Sequence, residues 1–537
     1  MIKQVKDFLF RPFKEHLLFM LFLFVTMCPY IWLQFFVLKY NLNGVLLVIN
    51  CILLAYLVTL LVGLIKAKTV RTVVQIVLTL FTGTLFAWNS YCLAEFQGLL
   101  DEDYLMLILE TNFNEANEFL TSVVSPKVLL GLGGVFLGFV GLWFFSRRHH
   151  LGLGDKWSVP ILILLALLSV VNLKYWQIWK DGPITHVARL VTAIPKYDLP
   201  DDFQLNNTHP SVTFLPGNEV PENVVLIIGE SFARSHSSMY GYDKMTNPRL
   251  GAFRDSSLLF TFDSIDAPAS MTSQAFRFML SLYSMPDSLD ESIKWYDFPN
   301  IMELMRASGY DSYWFSNQAS TGRFNYIARV FAQSCDHVKF YQEEGPIGNN
   351  RVKDNVLVDS SMACVTQLGA GRHFVVYHMM GSHFEYRMRY PDEFSQFTIK
   401  DYTDRKAHQR YTLATFDNSI LYNDFIVEQL INLFRDKETV VVYVPDHGQD
   451  AYDSSPDYCL HGKTTDPVSF AYGVKIPFMV YATPLFQQRH PELMQRIKYR
   501  QEHPKPWNTD DLPYFIMDLI GVSSVNGKDV KSRSVLD

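Results

Sequence analysis

Hydrophobic and polar positions divide the chain into two parts. Up to about residue 180 long uncharged runs dominate, whereas beyond residue 220 apolar and polar positions alternate at the short intervals typical of a soluble domain. A helix needs about 20 apolar residues to cross a bilayer. Five runs approach or exceed that length: 16–38, 44–65, 72–94, 128–145 and 159–179. The pattern predicts a bundle of about five transmembrane helices within residues 1–180.

The charges between these runs predict their orientation. Lys and Arg precede the first run and occupy the loops between the second and third and between the fourth and fifth, whereas the segment 95–124 is acidic. Short loops rich in Lys and Arg face the cytoplasm, so an odd number of spans places the chain after residue 180 on the outer side. The first run has no small-residue cleavage site near its end, and we interpret it as a retained anchor.

The remaining chain is predicted to form a connecting segment and one α/β domain. Residues 181–220 mix aromatic and charged positions and then become rich in Pro, Asn and Asp, which indicates an interfacial helix followed by a linker. In 221–537 short β-branched runs alternate with helical patterns, which favours a mostly parallel sheet. The predicted strands are 223–231, 311–317, 373–383, 439–448 and 477–482, and the predicted helices include 273–283, 300–309 and 417–436.

Charge and cysteine content limit the possible partners and the possible disulfides. The 537 residues carry a net charge of −7 and no long basic tract, which argues against nucleic acid as a partner. Three of the six cysteines fall in the apolar runs. The other three, Cys335, Cys364 and Cys459, allow at most one disulfide in the soluble part, and no Cys-x-x-Cys pair suggests a cysteine metal site.

Candidate chemistry lies where two predicted strands end. Glu230 follows "VVLIIG", and Asp446 and His447 follow "VVVYVP". Ligands bind at the carboxyl ends of parallel strands, and two carboxylates with an imidazole suit zinc, or less well manganese. Because the set contains no cysteine, it is more typical of a catalytic than of a structural zinc site. The competing interpretation makes Glu230 a helix cap and Asp446 part of an ordinary turn.

Two further histidines lie in glycine-flanked polar turns, His383 in "MMGSHFEYRMRYP" and His461 in "YCLHGKTT". A lone histidine is more often a hydrogen-bonded core or surface residue than a ligand. In this context His383 and His461 are candidates to bind a second metal, to hold a phosphoryl oxygen or to protonate a leaving group.

A candidate nucleophilic hydroxyl lies near the start of the predicted helix 273–283. Ser270, Thr272 and Ser273 all occur there, where free backbone N–H groups favour a phosphate. An ordinary helix cap is the commoner role of such residues, and spacing does not choose among the three. A different candidate is Ser231 in "GESFA", which is close to a nucleophile elbow but has Ala233 at the final glycine. A hydrolase built on Ser231 leaves Asp446 and His447 unexplained.

Several blocks in fixed order resemble one known family. They are "VVLIIGESFARSHSSMYGYDKMTNPRL", "YWFSNQ" (313–318), "GSHFEYRMRYP" (381–391), "FDNSILYND" (416–424) and "PDHGQDAYD" (445–453). In these blocks the chain resembles, over essentially its whole length, the bacterial phosphoethanolamine transferases that modify lipid A and lipopolysaccharide core. The resemblance implies an inner-membrane enzyme with five spans and a periplasmic domain of the alkaline-phosphatase/sulfatase fold.

The resemblance also implies roles for individual residues. The implied zinc ligands are Glu230, Thr272, Asp446 and His447, with room left for a second ion, and Thr272 is the implied nucleophile. The implied substrate-site histidines are His383 and His461. In the membrane part, Thr111 and Glu115 of "LETNFNEANEFL" match positions that contact the lipid donor, while Leu107 stands where the family has an asparagine.

The implied reaction is transfer of phosphoethanolamine from phosphatidylethanolamine through a phosphothreonine to core heptose, lipid A or a related envelope glycan. A glycerophosphate transferase like the lipoteichoic-acid synthases is the main alternative. A sulfatase would need a "C/S-x-P-x-R" motif after the first ligand strand, which the sequence lacks. A non-enzymatic protein that binds envelope glycans is a further alternative. The acceptor and the oligomeric state do not follow from the sequence.

Overall fold

The computed structural model describes residues 2–96, 98–101, 152–173, 182–197, 203–217, 219–290, 292–320, 326–342, 352–455, 459–460 and 466–537, with a few single positions between 105 and 141. The chain divides into two compact units, one within residues 1–197 and one that contains 198–537. The domain boundaries at residues 180 and 220 stay predictions.

The first unit is helical. Its described helices are α1 (Ile2–Glu15), α2 (Leu17–Thr26), α3 (Cys28–Trp32), α4 (Asn41–Gly63), α5 (Lys68–Phe96), α6 (Asp155–Leu173) and α7 (Pro183–Tyr197). Within the described residues, Asn41–Gly63 and Lys68–Ala94 are long and apolar enough to span a membrane. The bent pair Leu17–Thr26 and Cys28–Val37 makes a third candidate if it counts as one span. The fourth predicted run, 128–145, lies almost wholly outside the described residues, so the number five stays a prediction.

A polar junction holds α7 within the first unit. Tyr30 Oη lies 2.8 Å from His186 Nδ1 and accepts a hydrogen bond of 3.2 Å from Asn89 Nδ2. The Leu100 N–H donates to Asn89 Oδ1 at 3.0 Å. Because Tyr30 and Asn89 are buried among apolar helices, each hydrogen bond offsets a desolvation cost that would otherwise weaken the packing.

The second unit is built on a seven-stranded sheet. The described strands of the unit are β1 (Val212–Phe214), β2 (Asn223–Gly229), β3 (Leu259–Phe262), β4 (Ile265–Asp266), β5 (Asp311–Ala319), β6 (His337–Gln342), β7 (His373–His378), β8 (Thr439–Pro445), β9 (Asp450–Ala451), β10 (Cys459–Leu460), β11 (Phe478–Ala482), β12 (Trp507–Asn508), β13 (Val522–Val525) and β14 (Lys528–Asp529). The order in the central sheet is β3-β11-β8-β2-β7-β5-β6. The strand β11 is antiparallel to both its neighbours and the other pairings are parallel, so the predicted mostly parallel sheet is confirmed.

Helices cover both faces of this sheet. They are α8 (Pro248–Asp255), α9 (Thr272–Met279), α10 (Ile301–Ala307), α11 (Tyr326–Ala332), α12 (Asn355–Gln367), α13 (Ala407–Asn432), α14 (Pro467–Val474), α15 (Pro484–Arg489), α16 (Pro491–Glu502) and α17 (Leu512–Leu519). Alternate residues of β2 enter opposite cores: Leu226 packs in the core that contains Phe276 of α9, and Ile227 in the core that contains Phe416 of α13. Burial on both faces explains why the central strands are continuous apolar runs.

All five predicted strands are present, with different ends. In the central sheet the prediction missed β3 and β6, and it extended 373–383 beyond the observed end of β7 at His378. It also missed the short strands outside this sheet. The Met379 N–H still donates to the Ile228 carbonyl, and the hydrogen-bond ladder is then interrupted because Met380 and Gly381 donate to the Asp354 side chain. The helix predicted at 417–436 begins earlier, at Ala407.

Part of the segment interpreted as a linker is docked on the second unit. Phe203 packs on the core, and β1 pairs with β13. The N–H and hydroxyl of Thr208 donate to the two carboxylate oxygens of Glu303 at 2.9 and 3.0 Å. These contacts make residues 203–214 an ordered part of the unit that carries the candidate site.

Candidate active site

The pairing of β2 with β8 brings the first three predicted ligands together. The two strands are parallel and adjacent, with Gly229 opposite Pro445, so the residues that follow them, Glu230 and Asp446, leave the sheet side by side. His447 comes next. One ligand atom from each of the three side chains lies within 4.8 Å of the others, and all three side chains are buried.

The predicted hydroxyl lies against this cluster. Helix α9 begins at Thr272, and no side chain caps its first turn. Thr272 Oγ1 lies 3.3 Å from Glu230 Oε2 and 3.4 Å from His447 Nε2. Of the three hydroxyls that spacing left open, Thr272 is the one that the described residues connect to the acidic cluster.

The electrostatics of the cluster favour a bound cation. Burial raises the pKa of Glu230, and the neighbouring Asp446 carboxylate raises it further. Asp446 Oδ2 is buried and has no hydrogen-bond partner among the described residues. His447 Nδ1 lies 2.7 Å from the carbonyl of Gly448, so we assign the proton to Nδ1. The lone pair of His447 Nε2 then faces the two carboxylates, each 3.4 Å away. A zinc ion fits this O/O/N set, because it binds the unpaired oxygen and the lone pair and offsets both negative charges.

His383 lies on the loop that leaves β7, the other neighbour of β2 in the sheet. The side chain keeps some exposure, but its Nδ1 is buried without a hydrogen-bond partner among the described residues. Desolvation lowers the pKa of His383 to about 4. The ring is therefore neutral at pH 7, and its unprotonated nitrogen can accept a hydrogen bond. His461, Thr111 and Glu115 lie outside the described residues, and their roles stay predictions.

The loop that carries His383 is clamped by a buried carboxylate that the sequence analysis missed. Asp354 accepts hydrogen bonds of 2.8 Å from the N–H groups of both Met380 and Gly381, and one of 2.9 Å from Asn317 Nδ2. Gly381 has φ +48°, and a Cβ there would lie 2.9 Å from the Glu230 nitrogen. Glycine is required at this position because the loop passes so close to the Glu230 backbone.

Ser231, the alternative nucleophile, has another role in the structure. It is fully buried, with φ +53°, and its hydroxyl donates to Glu230 Oε1 at 2.6 Å. Its N–H donates to Asp446 Oδ1 at 3.2 Å. The strained turn after β2 thus aims the Glu230 carboxylate into the cluster and uses Ser231 to hold it.

The family model described as Sulfatase matches residues 222–522, more than half of the chain. The chain belongs to the sulfatase family. Its second unit therefore carries a sulfatase-family domain, and the predicted alkaline-phosphatase/sulfatase fold is confirmed for that unit.

Several relatives that match beyond this domain are phosphoethanolamine transferases. The chain is 25% identical over 468 residues to phosphoethanolamine transferase EptC of Escherichia coli (strain K12), a match that covers 81% of this chain and 77% of the relative. It is 24% identical over 487 residues to phosphoethanolamine transferase CptA of Salmonella typhimurium, with 85% and 81% covered. The predicted resemblance to this group is confirmed.

Two solved structures extend the comparison. The zinc complex of the C-terminal periplasmic domain of EptC from Escherichia coli has a TM-score of 0.53 at 26% identity and covers 61% of this chain and 90% of that chain. The integral membrane protein lipooligosaccharide phosphoethanolamine transferase A from Neisseria meningitidis has a TM-score of 0.67 and covers 97% and 98%. At 18% identity the second likeness bears on the fold alone.

A second buried cluster, centred on His236, connects the segments around the candidate site. His236 Nδ1 lies 2.6 Å from Asp417 on α13, and its Nε2 lies 3.5 Å from Asp453. Tyr242 and Tyr402 both donate their hydroxyls to Asp417. Burial opposes a charge on His236, but the two carboxylates prevail and raise its pKa to about 10. This imidazolium joins the segments that follow Glu230 and His447 to one helix.

We expect Asp354→Asn to destabilise the sulfatase-family domain. The new amide places an N–H donor against the N–H of Met380 or Gly381, and a buried unsatisfied group costs about 1–3 kcal/mol. The thermal midpoint of the purified protein should fall by a few degrees, about 2–4 °C per kcal/mol for a domain of this size. Asp359→Asn on the exposed side of α12 is the matched control. An unchanged thermal midpoint for Asp354→Asn would contradict the inference that Asp354 stabilises this loop.

We expect His236 to make stability depend on pH above neutrality. The pKa of His236 is about 10 in the folded protein and about 6.5 in the unfolded chain, so its contribution is full below pH 6.5 and is lost as the pH rises through 10. The His236→Asn variant should be less stable at pH 6 and should lose less stability than the wild type between pH 7 and 10. Denaturation midpoints measured across this range test it, with His337→Asn, an exposed histidine, as control. Parallel curves for His236→Asn and the wild type would refute the assignment.

Proposed function

We propose that the protein is a zinc-dependent transferase that moves phosphoethanolamine from phosphatidylethanolamine to an envelope glycan, either lipopolysaccharide core heptose or lipid A. The names of its relatives support the transferred group, since EptC and CptA are both phosphoethanolamine transferases. A further relative, from Escherichia coli, is a Kdo(2)-lipid A phosphoethanolamine transferase at 24% identity over 58% of this chain, which supports the acceptor class.

One observation carries the proposal: a threonine hydroxyl at the start of a helix lies in hydrogen-bond range of an acidic and imidazole cluster. Thr272 Oγ1 faces Glu230 and His447, and the uncapped first turn of α9 leaves N–H groups available for phosphoryl oxygens. A nucleophile, a cation site and an anion site thus share one place, as phosphoryl transfer requires.

Glu230, Thr272, Asp446 and His447 would hold one zinc ion. Bound zinc would lower the pKa of the threonine hydroxyl and neutralise charge that develops on the phosphoryl oxygens. A second ion near His383 and His461 stays part of the proposal without an assigned ligand set. The zinc complex of the EptC periplasmic domain supports the choice of metal.

The reaction takes place in two displacements on phosphorus. Thr272 loses its hydroxyl proton to solvent, its Oγ attacks the phosphodiester, and the bond from phosphorus to the glycerol oxygen breaks. His461 gives the leaving diacylglycerol its proton, and phosphoethanolamine remains on Thr272. An acceptor hydroxyl then attacks the same phosphorus, and Thr272 leaves as the alkoxide. His383, which is neutral at pH 7, receives the proton of the acceptor hydroxyl and passes it to solvent, from which His461 is protonated again.

The first unit would anchor the catalytic domain at the membrane that contains the lipid donor. A donor that never leaves the bilayer needs a catalytic domain anchored to the membrane, and the apolar helices of the first unit provide the anchor. Thr111 and Glu115 would contact the donor headgroup. The proposal places the protein in the bacterial inner membrane, with several spans and the sulfatase-family domain in the periplasm.

Removal of the metal is expected to abolish transfer. Chelator-treated protein should lose at least 99% of its activity and recover it with zinc, because the buried carboxylates are left uncompensated without a cation. Glu230→Gln should bind less than half of the wild-type zinc, measured by elemental mass spectrometry. Glu393→Gln, at an exposed position, should bind zinc like the wild type. Full activity in metal-free protein would exclude the proposed chemistry.

A covalent intermediate on Thr272 is expected when the zinc-loaded protein is incubated with phosphatidylethanolamine. Peptide mass spectrometry should find a phosphoethanolamine adduct on the peptide that contains Thr272, and Thr272→Ala should lack it. Ser273→Ala, the next hydroxyl on α9, should keep the adduct. Activity falls by about 10³-fold or more in Thr272→Ala if covalent catalysis is essential. Wild-type activity in Thr272→Ala would refute the proposal. An adduct formed only from phosphatidylglycerol would favour glycerophosphate transfer.

A further inference from the structure

We propose that Gln318 is a positioning residue that fixes the orientation of the Glu230 carboxylate for zinc. The inference rests on the proposed role of Glu230 as a ligand and adds a residue to which sequence analysis gave no function. Gln318 is the last residue of the block "YWFSNQ" and lies on β5, two strands away from β2.

The contacts of the Gln318 amide identify which atom faces Glu230. Gln318 Nε2 lies 3.2 Å from Glu230 Oε2 and 3.1 Å from the carbonyl oxygen of Met379. Both neighbours are acceptors, so the NH₂ group and not the amide oxygen must lie there. Its two hydrogens then serve two partners, one on the ligand and one on the loop that leads to His383.

Each oxygen of the Glu230 carboxylate accepts a hydrogen bond from a different side chain. Ser231 Oγ donates to Glu230 Oε1 at 2.6 Å, and Gln318 Nε2 donates to Glu230 Oε2. The last torsion of a glutamate side chain has a broad, shallow energy profile, so an unrestrained carboxylate would rotate. A donor on each oxygen restricts that rotation, and Oε1 keeps a lone pair for a metal. Thr272 Oγ1 also lies 3.3 Å from Oε2, on the side of the cluster.

The backbone around Gln318 is shaped to deliver this contact. The pairing of β5 with β7 ends at Ser316 opposite His378, and the pairing of β5 with β6 is irregular between Ser316 and Ala319. Such an irregularity redirects side chains beside functional sites. Ser316 Oγ accepts the Gln318 N–H at 3.1 Å and lies 3.0 Å from His378 Nδ1. The position of Gln318 is therefore set by the tips of two strands.

A substitution that removes only the donor tests the inference. Gln318→Met has similar length and volume but offers no N–H group, and Gln318→Ala removes the side chain beyond Cβ. Because Gln318 is partly exposed, both variants are expected to fold. The control is Gln333→Met, at an exposed position after α11.

The measurement is the zinc dissociation constant of the full-length protein in detergent, by competition with a chromogenic chelator. Loss of a group that orients a metal ligand typically weakens binding about 10–100-fold, and we expect this for Gln318→Met and Gln318→Ala. The thermal midpoint of the metal-free variants should equal that of the wild type, whereas a purely structural role would lower it. At saturating zinc the Thr272 adduct should still form, since every ligand is retained.

Two results would overturn the inference. One is a wild-type dissociation constant in both variants. The other is a weakened constant accompanied by a lower midpoint of the metal-free variants. Failure of the proposed function looks different, because the wild-type protein itself would then bind no zinc or form no adduct.

Discussion

The parallel pairing of β2 with β8 is the constraint on which the rest of the site depends. In-register pairing places Glu230 and Asp446 side by side just beyond the carboxyl ends of the two strands. The two carboxylates are therefore neighbours because of the sheet itself and not because of a loop conformation. Both are buried, and like charges in such surroundings repel strongly. A cation bound between the two groups would offset this repulsion, and in the metal-free protein protonation of Glu230, whose pKa burial and Asp446 raise, relieves it. The architecture thus offers a candidate site for a metal ion.

The surrounding residues remove the remaining freedom of this cluster. Ser231 and Gln318 hold the Glu230 carboxylate, and Asp354 fixes the loop that passes over it. The imidazolium of His236, between Asp417 and Asp453, joins the two segments that leave β2 and β8. Apart from the contact of Ser231 with its neighbour Glu230, each of these contacts joins elements distant in sequence. A rigid frame of this kind keeps reacting groups in place while substrates exchange.

Five central strands and the three candidate ligands could be predicted from the sequence because their signals are local. A β-branched run followed by Glu230, or by Asp446 and His447, marks a strand end within ten residues of chain. The hydroxyl could not be chosen by spacing, since Ser270, Thr272 and Ser273 share one turn and only the approach of α9 to the sheet distinguishes them. Asp354 and Gln318 were missed because their partners lie 27 and 88 residues away and no periodicity connects them. In the first unit, the apolar runs predicted by hydropathy coincide with the long apolar helices among the described residues, and the number of spans stays a prediction.

Membership of the sulfatase family defines the scaffold, and the reaction has to be argued from the site. The sequence has no "C/S-x-P-x-R" motif, and the hydroxyl beside the acidic cluster is the ordinary threonine Thr272. A threonine that carries a phosphoryl group has no internal route to release it, so the group stays until an external oxygen attacks. Whether water or a glycan hydroxyl attacks the phosphothreonine depends on which of them has access to the carboxyl ends of the central strands. Under the proposed function, an acceptor bound at this end of the sheet would exclude water from the phosphothreonine. The sulfatase-family scaffold would then favour transfer over hydrolysis without a change in the proposed metal ligands.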